Sequence, residues 1–513
     1  MLQSTQMNHA QINRRRFMQS LALFSGISLS NFRLKEVAGF NLESEEPLEI
    51  IIVGAGLAGL CAAYELEKLG HQCTILEADQ RHIGGRARTL RFGDGLYGEA
   101  GPMRIPQNHD LTRHYVKMFG LELRPFVHSN SDAFYHLRNK HDRIKNVDQF
   151  GDLYTLTDGE QGLLPDDLWV NVIISLIENL SQEEKDDLYA LSPQTETIRE
   201  LDKISLYQAL LDGGLSHEAI EFLSTTYALE TLLPSALTEH LREEIEEVWI
   251  HDFDEIVGGM DRLPAAFAEN LKSKPMLGRP VIRIEQNLEQ KRVAAIYREN
   301  REEKRAEGDY LLCTVPFSVL ERIDVSPALS GPKQRAIRQL HYDSAVKTFV
   351  VANQRFWESE ENIYGGGTVT DLPIGSVYYP SDNASAQDSD ISAGPGVMLA
   401  SYTWGNNARR LSALSVRTRS QEVIRHLSQI HPQLNEPGIV RRSASWSWDQ
   451  HPWSRGAYAF FAPGQHSALH EHIATPEGRI HFAGEHTSLT HSWMQGALES
   501  ALRAVADILQ NES

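Results

Sequence analysis

The run Leu48-Glu49-Ile50-Ile51-Ile52-Val53-Gly54-Ala55-Gly56-Leu57-Ala58-Gly59 constrains this chain more than any other stretch. Apart from Glu49 its first six residues are apolar, the pattern of a parallel strand buried on both faces. The glycines follow at once, and Leu60, Ala63, Leu66 and Leu69 then recur at helical spacing up to Gly70. Gln72 to Leu76 reads as a second strand ending at Glu77, 23 residues after Gly54. Strand, glycine turn, helix, strand and acid together specify the opening unit of a dinucleotide-binding domain. Gly54 permits the tight turn, Gly56 lets backbone approach a pyrophosphate, and Gly59 lets the helix lie close to the sheet. The helix start offers free N–H groups to phosphate, and Glu77 is placed to accept ribose hydroxyls. Next, Arg81, Ile83, Gly84, Gly85, Arg86, Ala87 and Arg88 form a basic, glycine-hinged segment suited to continued contact along an extended cofactor. The motif itself leaves NAD and FAD both open.

At 513 residues the chain has room for two or three domains of about 100–200 residues each. Its 49 Lys and Arg against 69 Asp and Glu leave a formal charge of −20, which repels phosphate backbones and argues against nucleic acid as a partner. Cys61, Cys73 and Cys313 have neither metal-ligand spacing nor the density of a disulfide scaffold. Near the start, Asn13-Arg14-Arg15-Arg16-Phe17-Met18-Gln19 precedes a moderately apolar stretch from Leu21 to Leu29. That stretch is far short of the roughly 20 residues a bilayer requires, and the paired arginines resemble a bacterial twin-arginine export signal. The expectation is an export signal at 1–32 and a periplasmic or secreted protein, or a cytoplasmic one if the segment is only a basic tail.

Further blocks narrow the reading. They are Gly84-Gly85-Arg86, Glu99-Ala100-Gly101-Pro102-Met103-Arg104-Ile105-Pro106, Asp254-Glu255-Ile256-Val257-Gly258-Gly259-Met260-Asp261, Lys347, Phe356-Trp357-Glu358 and Phe482-Ala483-Gly484-Glu485. With these spread over residues 48–510, the chain resembles the flavin-dependent L-amino acid oxidases, within the wider monoamine and polyamine oxidase superfamily. The resemblance implies an α/β fold in which 48–110, 253–340 and 470–510 build a Rossmann-like FAD-binding domain. A mixed-sheet substrate-binding domain would come from 111–149 and 341–469, with a helical insertion at 150–252. It implies FAD as cofactor and an L-amino acid and O2 as partners, with no membrane span and with a homodimer left open. The chain pattern agrees in part. Residues 180–250 are rich in Glu, Leu and Ala without strand alternation, 131–144 reads as a hairpin, and 344–352 and 397–402 read as strands. Gln286 to Gly308 looks like a hairpin excursion from the cofactor sheet, while 365–372 and 382–396 read as turn-rich.

The resemblance also assigns residues. Cofactor contacts fall on Gly54, Gly56, Gly59, Glu77, Arg86, Met103, Arg104, Gly484, Glu485 and Met494, and Gly496 and Ala497 keep the start of the last helix slender beside the flavin. Arg104 matches the arginine that grips the substrate carboxylate; a bidentate pair there would orient Cα. Tyr402 matches a tyrosine sharing that carboxylate, whereas Tyr378-Tyr379 reads as core. Trp493 matches an aromatic wall beside the substrate amine, preceded by Ser492, and Trp404 and Tyr458 match side-chain-pocket positions. Lys347, an intrusion in the apolar Ala345-Val346-Lys347-Thr348-Phe349, matches a catalytic lysine that assists O2 reduction or imine hydrolysis; the plainer alternative is an edge-strand lysine reaching solvent. One position departs from the pattern. Where some members carry a mobile histidine this chain has Glu243, among eight acids between Glu239 and Glu255 that read mostly as a solvated helix face. Any of them facing inward would favour arginine or lysine as substrate. The implied reaction is oxidative deamination to a 2-oxo acid, ammonia and hydrogen peroxide. Amine or polyamine oxidation, a monooxygenase yielding an amide, and a silent FAD-binding scaffold stand as alternatives.

Overall fold

The computed structural model describes residues 47–510, so the export signal expected at 1–32 lies outside the described residues. Glu49–Val53 pairs in parallel with Gln72–Leu76 on one side and with Tyr310–Cys313 on the other, and Ile480–Phe482 extends the sheet beyond the latter. Stretches hundreds of residues apart therefore share one parallel sheet. The first helix, Leu57–Lys68, starts directly on Gly56 rather than at Leu60. Its inward face, Leu60, Ala63 and Leu66, packs with Leu498, Leu502 and Val505 of the closing helix Met494–Gln510. Each such leucine, taken fully out of water, contributes about 1.5–3 kcal/mol.

The polar stretch after residue 280 is more than a hairpin. Val281–Asn287, Arg292–Glu299 and Glu302–Gly308 form an antiparallel meander joined by Asp324–Ser326, a sheet separate from the parallel one. Val293, Ala295 and Tyr297 alternate along its middle strand and pack with Leu311 and Phe482 of the parallel sheet. The intervening Ala294 and Ile296 are apolar and buried as well, so the sequence shows no alternation that would mark this face.

A second large sheet has seven strands in the order Val440–Ser447, Ala345–Ala352, Gly396–Trp404, Ser376–Tyr378, Gly367–Thr370, Phe134–Leu137, Lys140–Arg143. The last two form the expected hairpin, turned by Arg138 and Asn139 at φ 48° and 65°. The turn-rich reading of 365–372 is corrected here. Gly365 and Gly366 do turn, at φ 76° and 80°, but Gly367–Thr370 is a strand held between Ser376–Tyr378 and Phe134–Leu137. Its partners are distant in sequence, so local composition could not reveal it. Ala345–Ala352 is an interior strand and wholly buried, with Lys347 opposite Tyr402 on one neighbour and Trp446 on the other. The edge-strand alternative for this lysine is therefore excluded.

Short helices from Pro165–Trp169 to Leu237–Ile245 enclose an apolar cluster of their own. Among the described residues no helix is long and apolar enough to cross a membrane. The acids of 239–255 correct another expectation. Glu239 and Glu255 are buried, and Glu243, Glu244 and Glu246 are half-buried. The helix Leu237–Ile245 is packed on both sides, against the insertion and against the loop before the closing helix.

Gly59 sets the closest approach in the cofactor unit: a Cβ there would lie 2.2 Å from the Gly54 carbonyl oxygen and 3.0 Å from Thr314 Oγ1. Since one neighbour is backbone, relief requires the helix to move. Gly59→Ala is expected to destabilise the fold by more than about 2 kcal/mol, read as a lower denaturant midpoint; an unchanged midpoint would contradict this packing.

Candidate active site

An elongated cavity with about 1510 Å³ of empty space, partly open to solvent, runs from the first βαβ unit to the large mixed sheet. At one end lie Gly54, Gly56 and Glu77; at the other lie Lys347, Tyr402, Tyr458, Trp493 and Met494, with Arg86, Gly484 and Glu485 between them. Glu77 accepts the Ala55 and Asp79 amide protons, both at 2.7 Å, and burial holds its carboxyl above the ordinary range. A Cβ on Gly56 would meet nothing within 4 Å, and one on Gly85 would meet only Gly56 Cα, at 3.3 Å. The turn thus leaves an open cradle where a pyrophosphate needs bare backbone.

Glu485 fastens the middle of the cavity. It receives Arg86 Nη1 at 2.6 Å and the backbone amides of Ala459 and Ser492 at 3.3 and 3.1 Å. Arg86 also donates to the Ala457 carbonyl. Gly484, at φ 131°, donates its amide to Ser500 of the closing helix. That helix starts at Met494, and Met494 and Ala497 both face the cavity, so its positive end is directed there. A side chain at Gly496 would strike the Thr490 carbonyl oxygen at 2.1 Å.

Lys347 is 2% exposed. Its Nζ donates to the Gly101 carbonyl at 2.6 Å, touches Met103 Sδ at 3.4 Å and stands 4.3 Å from the centre of the Tyr402 ring. Burial pulls its pKa down to about 7, opposed by the Glu99 carboxylate and assisted by Arg104. Burial likewise pushes Glu99 up to about 8. Behind the cavity wall, Tyr458 donates to Asp343 at 3.2 Å, and Trp404 packs edge-on to Tyr402 at 4.5 Å.

Arg104 occupies a different setting. It is 8% exposed, and its Nη1 donates to His128 Nδ1 at 3.2 Å. Burial, with Arg104 second, drives the His128 pKa down to about 3, so this imidazole is a neutral acceptor. The rings of Trp249, Phe253 and Tyr378 surround the guanidinium carbon at 4.9, 5.5 and 5.9 Å. Among the described residues no carboxylate lies within ion-pair distance of it. Trp249 and Trp493 both donate their indole N–H to Glu243, at 2.9 and 3.1 Å. One turn earlier, Glu239 binds Arg242 at 2.7 Å, His491 Nδ1 at 3.0 Å and the Phe461 amide at 3.3 Å. Burial opposes its ionisation, yet Arg242 and His491 bring its pKa down to about 2.

Not every residue assigned from sequence reaches the cavity. Gly59 is packed between helix and sheet, and Met103 turns into the apolar cluster of Phe92, Phe126 and Phe349. Trp404 lines a small neighbouring cavity with Glu230 and Thr370. Arg104 and Glu243 lie beyond the cavity lining; Glu243 is linked to it by the Trp493 indole, and Arg104 through the Trp249 ring that packs 5.7 Å from Trp493. Tyr379 is core, bonded to Thr368 and His431, as the sequence reading had it. Tyr378 is not, since its ring faces Arg104. Sequence reasoning missed His128 and Trp249 altogether; a tryptophan closing an acidic helix was the one available signal.

Comparison with known proteins now decides the family. Residues 57–509 match the family described as flavin containing amine oxidoreductase. The chain belongs to the flavin-containing amine oxidoreductases. A Bacillus subtilis (strain 168) protein, YobN, named as a candidate L-amino-acid oxidase, is 36% identical over 91% of this chain and 95% of its own. The L-amino-acid oxidase of Siganus canaliculatus is 34% identical over 90% and 85%, and that of Pseudechis australis 32% over 92% and 89%. Putrescine oxidase bound to putrescine shares the fold, with a TM-score of 0.71 at 21% identity over 91% of this chain and 99% of that one. The cofactor is FAD. Its dinucleotide half suits the Gly56–Gly85 cradle and Glu77, and its ring suits the end bounded by Lys347, Tyr402, Trp493 and the start of the closing helix.

Proposed function

We propose that this flavoenzyme oxidises the Cα–N bond of L-amino acids. An α-amino acid, O2 and water become a 2-oxo acid, ammonia and hydrogen peroxide. Bound FAD supplies the hydride acceptor and hands the two electrons on to O2. The observation that carries the reading is Arg104, a buried guanidinium with no acid beside it among the described residues, walled by aromatic rings. Such a charge is costly until an anion reaches it. An α-carboxylate supplies the missing charge and matches the planar fork of donors. The relatives named L-amino-acid oxidase support the same substrate class.

The chain's own groups then have distinct tasks. Arg104 and the Tyr402 hydroxyl hold the carboxylate and thereby fix Cα, a positioning effect that converts binding energy into rate. Trp493 and Tyr458 exclude water from the amine. Lys347, poised near neutrality, holds or gives up a proton at Nζ during O2 reduction.

Two measurements test this. In a peroxide-release assay, L-amino acids are expected to react while their D-enantiomers and decarboxylated amines do not. Arg104→Met is expected to keep its yellow colour and lose at least about 100-fold in kcat/KM; equal oxidation of the decarboxylated amines would overturn the assignment. For Lys347 the sign follows from its lowered pKa: the ammonium exists below about 7 and is lost above it. The O2 step of the reduced holoenzyme is therefore expected to slow as pH rises through about 7, and Lys347→Met to be slow at every pH. An unchanged inflection in the variant would remove Lys347 from that step.

A further inference from the structure

Glu243 bears a carboxyl group that nothing in the proposed reaction requires. Burial raises its pKa above the ordinary carboxylate range, opposed by the Trp249 and Trp493 indole N–H groups and by Arg104, so a cation arriving beside it would favour its charged form. Glu243 sits in the last turn of the helix Leu237–Ile245, where the helix dipole is negative and disfavours a carboxylate. Three neighbouring acids have a cation, Glu239 in Arg242 and His491, Asp254 in Arg113 and Glu255 in Arg124, whereas Glu244, like Glu243, is bonded to an indole N–H, that of Trp169, but on the side of the helical insertion. Among the described residues no Lys, Arg or His lies within ion-pair distance of Glu243. It accepts the two indole N–H groups of Trp249 and Trp493, one at each oxygen. A carboxylate offers about four lone-pair directions, so two remain available.

Both donors belong to the substrate side. Trp493 faces the cofactor cavity, and the Trp249 ring lies 4.9 Å from Arg104. The Arg104 guanidinium thus lies over the face of the Trp249 indole and the Glu243 carboxyl at its N–H. A neutral substrate side chain arriving here would strip water from the free lone pairs without replacing it. A guanidinium or ammonium would instead complete the carboxylate's bonds and lie against two indole faces, which attract cations.

We infer that Glu243, framed by Trp249 and Trp493, is the side-chain subsite of this enzyme and selects L-amino acids with a cationic side chain, the arginine and lysine class. The inference rests on the amino-acid oxidase reading, with Arg104 taking the α-carboxylate and Glu243 the distal charge.

L-Arginine and L-citrulline are the probes, being alike in length and differing in charge. Wild-type holoenzyme is expected to oxidise arginine with the higher kcat/KM. In Glu243→Gln, whose amide oxygen still accepts an indole bond, the arginine-to-citrulline ratio is expected to fall at least about 10-fold. Flavin content and the visible spectrum establish that the variant is folded. Preference of the wild type for citrulline or leucine would overturn the inference and leave the oxidase reading standing. So would an equal fold-change on both probes in the variant, which would place Glu243 at the α-amine instead. Failure of the wild type on every L-amino acid would defeat the oxidase reading itself.

Discussion

The guanidinium of Arg104 is held almost out of water with no acid within ion-pair distance among the described residues, the Glu243 carboxyl being the acid across the Trp249 ring. Burial of one uncompensated ion costs several kcal/mol. Three ring faces and a neutral imidazole offset only part of this. His128 cannot act as a competing cation, because burial and Arg104 together keep it unprotonated. In the proposed reaction the remaining attraction is met by the substrate's α-carboxylate.

Two buried carboxylates brace the segments around the cavity. Glu485 ties Arg86, Ala459 and Ser492 together, so the glycine-hinged segment, the Tyr458 strand and the loop before the closing helix share one anchor. Glu239 ties the adjacent His491 and Phe461 to the helix that bears Glu243. Between the two anchors, Ser492 at φ 67° and Trp493 have little freedom to move independently. The aromatic wall that Trp493 gives the cavity is thereby positioned from both sides. A site that depends on Cα lying at one distance from a ring atom requires that rigidity.

Much of the cofactor half was legible in the sequence because its chemistry is local. Gly54, Gly56, Gly59 and Glu77 lie in one continuous stretch, and each performs a backbone-scale task that spacing alone reveals. Lys347 was legible as an intrusion in an apolar strand, although its interior place in the sheet required knowing the partners Tyr402 and Trp446. The acidic helix was misread as solvated, since period and composition cannot show that both its faces are covered by segments far away in sequence. Gly367–Thr370 was hidden for the same reason. Met103 illustrates the opposite limit: it adjoins Arg104 in a motif, yet its side chain points into Phe92 and Phe349. A motif fixes the backbone path more firmly than it fixes what each side chain touches.

The central claim is that an α-carboxylate supplies the charge Arg104 lacks. A crystal structure of the FAD-loaded protein with a bound 2-oxo acid product tests it most directly. The carboxylate should lie about 2.7–2.9 Å from the Arg104 guanidinium nitrogens, with its α-carbon over the flavin ring. A product seated elsewhere, with Arg104 still facing only His128 and the three rings, would contradict the account.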